Sequence, residues 1–221
     1  MTPDTQFWWN WWVAVAAAFG TVATVIVALF GQAFRTKFFP PRLALRQVMP
    51  EREKAKVRLE WYEHDVSGVA QSRWEDARYY HLRVSNERRW SPANNVQVFL
   101  IRMEEPGPDG DLQLKWTGEV PMRWRHQEVF PPARSIGPSS DCDLCSVVKG
   151  KWLELLPLVA PYNLDSKRRE KCVIVLSLQA RGNEADSPIL RVQVSWDGGW
   201  EDGAQEMKRH LVVKVLDSQE A

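Results

Sequence analysis

Thirty consecutive residues, Thr5 to Phe34, carry no formal charge. A water-facing surface does not keep such a run, whereas a lipid interior requires one. The apolar centre runs from Trp11 to about Phe30. At about 1.5 Å per residue, roughly 20 helical residues cover the ~30 Å of a bilayer's hydrocarbon core. Val13, Val15, Phe19, Val22, Val25, Ile26, Val27, Leu29 and Phe30 together favour insertion by about 3–5 kcal/mol. Trp8, Trp9, Trp11 and Trp12 spread around the helix at its N-terminal end, as an interfacial aromatic belt does. A cleaved signal peptide is the competing reading, but it calls for a basic start and a shorter apolar stretch. Here Asp4 is the only charged side chain ahead of the run. A buried core helix is the other rival, and four Trp in five residues fit an interface better.

Arg35, Lys37, Arg42 and Arg46 follow the run, and no basic side chain precedes it. The positive-inside rule then places a single-pass chain in the cell membrane, N-terminus outside and C-terminal domain in the cytoplasm. Three cysteines, an odd number without a disulfide-like framework, agree with a reducing compartment. Pro40-Pro41 stiffens the junction and ends any helix there. The expected organisation is 1–34 as tail and membrane helix, 35–42 as a basic, proline-bearing linker, and 43–221 as one folded domain. Ala16, Gly20, Thr24 and Ala28 recur every four residues and share a face, which permits close approach of a second helix and a homo-oligomer. The plain alternative is that small residues are common in such helices.

Beyond the anchor, apolar residues alternate with polar ones. The sets are Leu43/Leu45, Val57/Leu59/Trp61, Tyr80/Leu82/Val84, Val96/Val98/Leu100, Ile174/Leu176/Leu178, Leu190/Val192/Val194/Trp196 and Leu211/Val213/Val215. Period 2 means strands with one face buried. About seven such strands with few helical patterns predict a mainly β fold, an antiparallel β-sandwich of immunoglobulin-like type. Leu112–Trp116 and Val129-Phe130 read as strand pieces, Lys151–Leu156 as a short helix or strand, and Gln205–His210 as one helical turn.

Leu82-Arg83-Val84-Ser85-Asn86, a polar turn, then Ser91-Pro92-Ala93-Asn94-Asn95-Val96-Gln97-Val98 resembles the strand–Asn–turn–strand segment of immunoglobulin-like accessory domains. With Phe30-Gly31, Arg35 and Phe38 through Leu43 at the junction, the layout resembles small uncharacterised bacterial single-pass membrane proteins with a β-rich cytosolic domain. The resemblance implies location and fold, and brings no site residues or cofactor with it.

Candidate chemistry is sparse. Cys142-Asp143-Leu144-Cys145 is a lone CxxC, and a zinc site would need two more ligands, such as His126 and Cys172. The alternative is two ordinary strand cysteines, with Asp141 and Asp143 facing water. Asp197, Glu201, Asp202 and Glu206 lie in a Gly-rich stretch that suits an Asp-Gly hairpin turn better than calcium. His64, His81, His126 and His210 are scattered, and alternation puts His81 on the wet face. No GxSxG, P-loop, GxGxxG or HExxH occurs, so neither an enzyme nor a cofactor is expected. A net charge of +1 argues against nucleic acid. Arg88-Arg89, Arg123/Arg125 and Lys167-Arg168-Arg169 with Lys171 are local basic clusters, read as solvated turns or as contacts to anionic lipid. The expectation is a membrane-anchored binding, scaffold or sensor protein with an unknown protein partner. A metal site or enzyme built on Cys142, Cys145 and His126, and an anionic-lipid-binding domain, are the alternatives.

Overall fold

The computed structural model describes residues 3–47, 54–61, 71–125 and 133–219. The chain forms two compact units, Met1–Pro40 and Pro41–Ala221. His64, His126 and Val129-Phe130 lie outside the described residues.

The first unit is one helix, α1 (Pro3–Phe38). Proline in the first turn costs little, because the N–H it lacks would have no partner there. The helix stops just ahead of Pro40-Pro41, whose rings disfavour helical geometry in the residues before them. It runs through Lys37, so the first four residues of the expected 35–42 linker are helical. Its segment Phe7–Ala28, 22 residues, is long and apolar enough to cross a membrane, and none of it is buried. Phe7, Trp8, Trp11 and Trp12 meet edge to face with ring centroids 5.0–6.4 Å apart. Thr21 and Thr24 donate their hydroxyls to the carbonyls of Ala17 and Gly20, at 2.9 and 2.7 Å, which removes their polar cost in an apolar setting.

The second unit is built from two antiparallel sheets. The first holds β1 (Leu43–Gln47), β2 (Lys54–Trp61), β3 (Gln71–Asn86), β7 (Ser139–Val148), β8 (Trp152–Leu155) and β9 (Lys167–Arg168). The second holds β4 (Ala93–Pro106), β5 (Leu112–Pro121), β6 (Arg134–Ile136), β10 (Cys172–Arg181), β11 (Ile189–Trp196) and β12 (Leu211–Gln219), with α2 (Ala204–His210) between the last two. Every alternating set named above falls on a strand. Lys151–Leu156, open between helix and strand, contains β8.

The mainly β, antiparallel reading holds, whereas the first sheet is a curled half-barrel and not the flat leaf expected of an immunoglobulin-like sandwich. The long strands are the physical reason. β3 pairs with β2 along Gln71–Arg78 and with β1 along Leu82–Asn86 on the same edge, while β7 takes the other edge. β4 likewise serves β6 and β5 along one edge. Strands of this length carry their twist further and curl the sheet. Past β5 the chain passes from one sheet to the other. The Met122 N–H still donates to Val98, whereas Arg123 and Arg125 donate to Leu156 and Asp141. Trp124, fully buried at that corner, fills the space beneath it.

The core joins Leu82 and Val84 of the first sheet to Val98, Leu100, Ile174, Leu176, Val192 and Val194 of the second. Each such side chain contributes about 1.5–3 kcal/mol on burial. Asn86 closes the β3–β4 turn. Its amide donates to the Ser91 carbonyl at 2.7 Å, and its Oδ1 accepts from the backbone N–H groups of Arg42 and Arg88.

Candidate binding groove

The CxxC lies on β7. A three-residue spacing on a regular strand puts two side chains on opposite faces. Here Tyr80 stands opposite Cys145 and His81 opposite Asp143, so Leu144 is an extra residue in a β-bulge. The bulge resets the alternation, and Cys142, Leu144 and Cys145 all enter the core. Burial pushes both thiols far up, which disfavours the thiolate that zinc or a nucleophile needs. No group of three or more His, Cys, Asp or Glu that could hold a metal occurs among the described residues.

Two expectations are corrected beside the bulge. Asp143 does not face water and His81 is not on a wet face: their side chains are 5% and 9% exposed and hydrogen-bonded through Nδ1 at 2.9 Å. The second oxygen of Asp143 accepts from Arg123 Nε at 3.1 Å. Arg123 comes from the segment that crosses between the sheets, and that segment roofs this part of the face. The cluster therefore ties β3, β7 and the crossing segment together. Burial of the imidazole makes it a structural tie in this arrangement.

A groove of about 870 Å³ opens at the end of the second sheet where β4 finishes and β10 begins. Its floor follows from strand register. Val173, Ser195 and Val212 face one another across β10, β11 and β12. A small residue between two exposed valines makes a shallow apolar trough. One wall is the loop through Lys167–Lys171. Arg168, 16% exposed, pins that loop by ion pairs to Glu105 and Asp165. Lys167 reaches Glu154 at 3.3 Å and lies over the Trp152 ring. Arg169 and Lys171 are exposed and have no ion pair among the described residues.

The other wall is the end of α2. Lys208, Arg209 and His210 occupy its last turn, where cations favour the helix dipole. Arg209 is exposed and equally without an ionic partner among the described residues. His210 is different, since Nδ1 sits 3.0 Å from Asp197 Oδ2. Asp197 also accepts the Gly199 N–H at 2.7 Å. That backbone bond, then His210, hold its carboxyl below the ordinary value against the effect of burial. The Asp-Gly stretch is thus an Asx-type turn leading into α2, where an Asp-Gly hairpin turn was expected. Gly198 has φ +91, and a Cβ on Gly199 would come within 2.1 Å of His210 Nδ1. A side chain is strained by the backbone at Gly198, and at Gly199 it would displace the His210 ring.

Of the candidates raised from sequence, the Lys167–Lys171 cluster and Asp197 meet at this groove. Cys142 and Cys145 are core residues, while Cys172, half-buried, lines the groove beside Val173. Arg209, Val173 and Val212 were not singled out, because no spacing links positions this far apart in sequence. No family model, curated protein or solved structure matches the chain.

Proposed function

We propose that this protein is a single-span membrane protein, N-terminus outside, whose cytoplasmic β domain captures an acidic, partly apolar segment of a partner protein in the groove. The anchor rests on the exposed 22-residue apolar helix and the basic flank that follows it. The observation that carries the binding role is the pairing of three cations without ionic partners among the described residues, Arg169, Lys171 and Arg209, with the apolar Val173–Ser195–Val212 floor. Carboxylates on the segment meet the rim, and its apolar side chains cover the valines. Rim ion pairs contribute about 0.2–1 kcal/mol each, so the affinity is of the order of micromolar or weaker and falls with salt. An acidic bilayer is the second candidate for these cations. A concave site with an apolar floor fits an extended chain better than a flat lipid surface.

The test uses the full chain in nanodiscs of zwitterionic lipid. A labelled peptide alternating Glu with Val or Leu is titrated by fluorescence anisotropy, beside a Lys-for-Glu counterpart. The expected result is salt-sensitive binding of the acidic peptide alone, at least tenfold weaker in the R169E/K171E/R209E variant. Equal binding by variant and wild type overturns the proposal. Loss of peptide binding only after phosphatidylserine is added gives the groove to lipid. A reporter fused after Ala221 that is active only in the cytoplasm supports the topology, and activity outside rejects it.

A further inference from the structure

The turn between β3 and β4 presents side chains that its own geometry does not call for. The Ser91 N–H donates to the Arg88 carbonyl at 2.9 Å, which closes a β-turn with Arg89 and Trp90 at its tip. Turn tips ordinarily carry Gly, Pro, Asn, Asp or Ser. Trp90 is instead a large apolar ring left 56% exposed. Arg89 is exposed beside it and has no ion pair among the described residues. Asn86 holds the turn through Arg42, Arg88 and Ser91, so neither side chain at the tip is needed to form it.

Register fixes where the tip stands. β1 pairs with β3 from Leu43 opposite Asn86, and the Arg42 carbonyl accepts the Glu87 N–H at 2.9 Å. The base of the turn is therefore bonded to the residue through which the chain enters the domain. α1 ends at Phe38, and the four residues from there to Arg42 reach at most ~14 Å fully extended. The uncharged run ends at Phe34, four residues and so ~6 Å before that helix end. A bilayer's headgroup layer is ~5–7 Å deep on each side. Chain length alone thus holds the base of the turn within ~14 Å of the headgroups. Arg42 and Arg46, both largely exposed, flank this base and share Glu87 at 3.4 and 2.9 Å. At the far end of β4 the loop closed by the Gly107 N–H and the Asp111 carbonyl carries exposed Asp109 and Asp111.

We infer that the Arg89-Trp90 tip docks the domain on the anionic leaflet of the bilayer that holds α1, with the indole in the interface and Arg89 on lipid phosphates. The inference rests on the single-span reading of α1. Each part of the tip matches one part of the surface. Tryptophan partitions to the headgroup level, where its ring meets acyl chains and its N–H meets water and ester groups. A basic side chain near an anionic leaflet strengthens attachment about fivefold, and the effect fades beyond a Debye length of ~8 Å. The short tether keeps the tip within reach at all times, so modest contacts suffice. The acidic Asp109–Asp111 loop then points to the side the anionic surface repels. The groove also lies at that end of β4, lined by Glu105 and Pro106, and is left open to a partner.

The experiment places an environment-sensitive fluorophore beside the tip of the full chain, at Pro92→Cys, and for comparison in the far loop, at Asp109→Cys. Cys172→Ser is made in both, while Cys142 and Cys145 stay buried and unlabelled. The nanodiscs contain about 30 mol% phosphatidylserine and a lipid bearing a nitroxide quencher near the headgroup. Quenching at position 92 is expected to be at least twice that at position 109. Arg89→Glu should at least halve it, and Trp90→Ser should bring it to the level of the far loop. In nanodiscs of phosphatidylcholine alone it should fall by half or more. If the labelled turn does not fold, hydrogen exchange of segment 87–92 in the unlabelled chain decides, being slower with phosphatidylserine than without. Equal quenching at the two positions, or quenching unchanged by both substitutions, overturns the inference and leaves the anchor standing. Equal quenching with and without phosphatidylserine overturns the anionic surface as the partner. A chain that elutes apart from the nanodiscs overturns the single-span reading, and this inference with it.

Discussion

The domain keeps two polar regions of opposite character. Around Asp143 every charge is committed: His81 and Arg123 take one carboxylate oxygen each, and the ring and carboxylate are withdrawn from water. Around the groove, three cations stand exposed over an apolar trough with no ionic partner among the described residues. Removing a partner from a buried cluster strands the remaining charge, whereas removing an exposed charge strands nothing. The first region should therefore answer to stability measurements, and the second to binding measurements.

The largest break is expected at Asp143→Ala. It leaves His81 and Arg123 without their shared acceptor beneath the crossing segment. The expected loss is about 3 kcal/mol, somewhat discounted because Arg123 is a third exposed. For a domain of this size that lowers Tm by about 6–12 °C. A drop under ~1 °C in a thermal melt of the solubilised full chain would show that the cluster is not a tie. Gly199→Ala comes next, at about 1–3 kcal/mol, because the new Cβ meets the His210 ring and that wall of the groove must shift. It differs from the first change in damaging both readouts, and normal peptide binding in this variant would detach the His210 wall from the site.

What the sequence disclosed follows the same division. Alternation at Tyr80, Leu82 and Val84, or at Leu190, Val192, Val194 and Trp196, reports a buried face wherever pairing is regular. At the β7 bulge that rule failed in a definite way. One extra residue, Leu144, carried Cys145 into the core, and the roof formed by residues 122–125 enclosed His81 and Asp143. A bulge is a property of two strands in register, and neither strand shows it alone. The groove was half legible. The Lys167–Lys171 cluster was visible as a run of charge. Its division into a pinned pair, Lys167 and Arg168, and an exposed pair, Arg169 and Lys171, depends on Glu105, Glu154 and Asp165. The β3–β4 turn was legible because Asn86 satisfies nearby backbone groups.

Arg83→Ala sharpens the contrast at a smaller scale. Burial alone would raise the Asp141 carboxyl, but the hydrogen bonds and charge of Arg83, with Arg125 and His81, outweigh it and hold it below the ordinary value. A carboxyl with a depressed folded-state pKa contributes stability above its unfolded pKa of about 3.9. That contribution is lost as pH falls through the folded value. Arg83 is about half exposed, so solvent screening limits the contribution to less than ~1 kcal/mol. Denaturant titrations between pH 6 and pH 3 should show a shallower acid limb in Arg83→Ala than in wild type. An identical slope would show that Arg125 alone holds the carboxylate.

The smallest expected stability effect belongs to R169E/K171E/R209E, and there the comparison is most exposed to failure. None of the three side chains has an ionic partner among the described residues, so unfolding free energy should move by no more than about 0.5 kcal/mol per site. Reversing the charges places them near Glu170 and Asp197, which adds repulsion that rises as salt is lowered. A small destabilisation at low ionic strength that disappears in about 0.3 M salt is therefore the expected pattern, alongside loss of acidic-peptide binding at every salt concentration. Collapse of the fold at high salt would mean that these cations help hold the loop to α2. The division between committed and uncommitted charge would then fail at the groove, where the binding proposal depends on it.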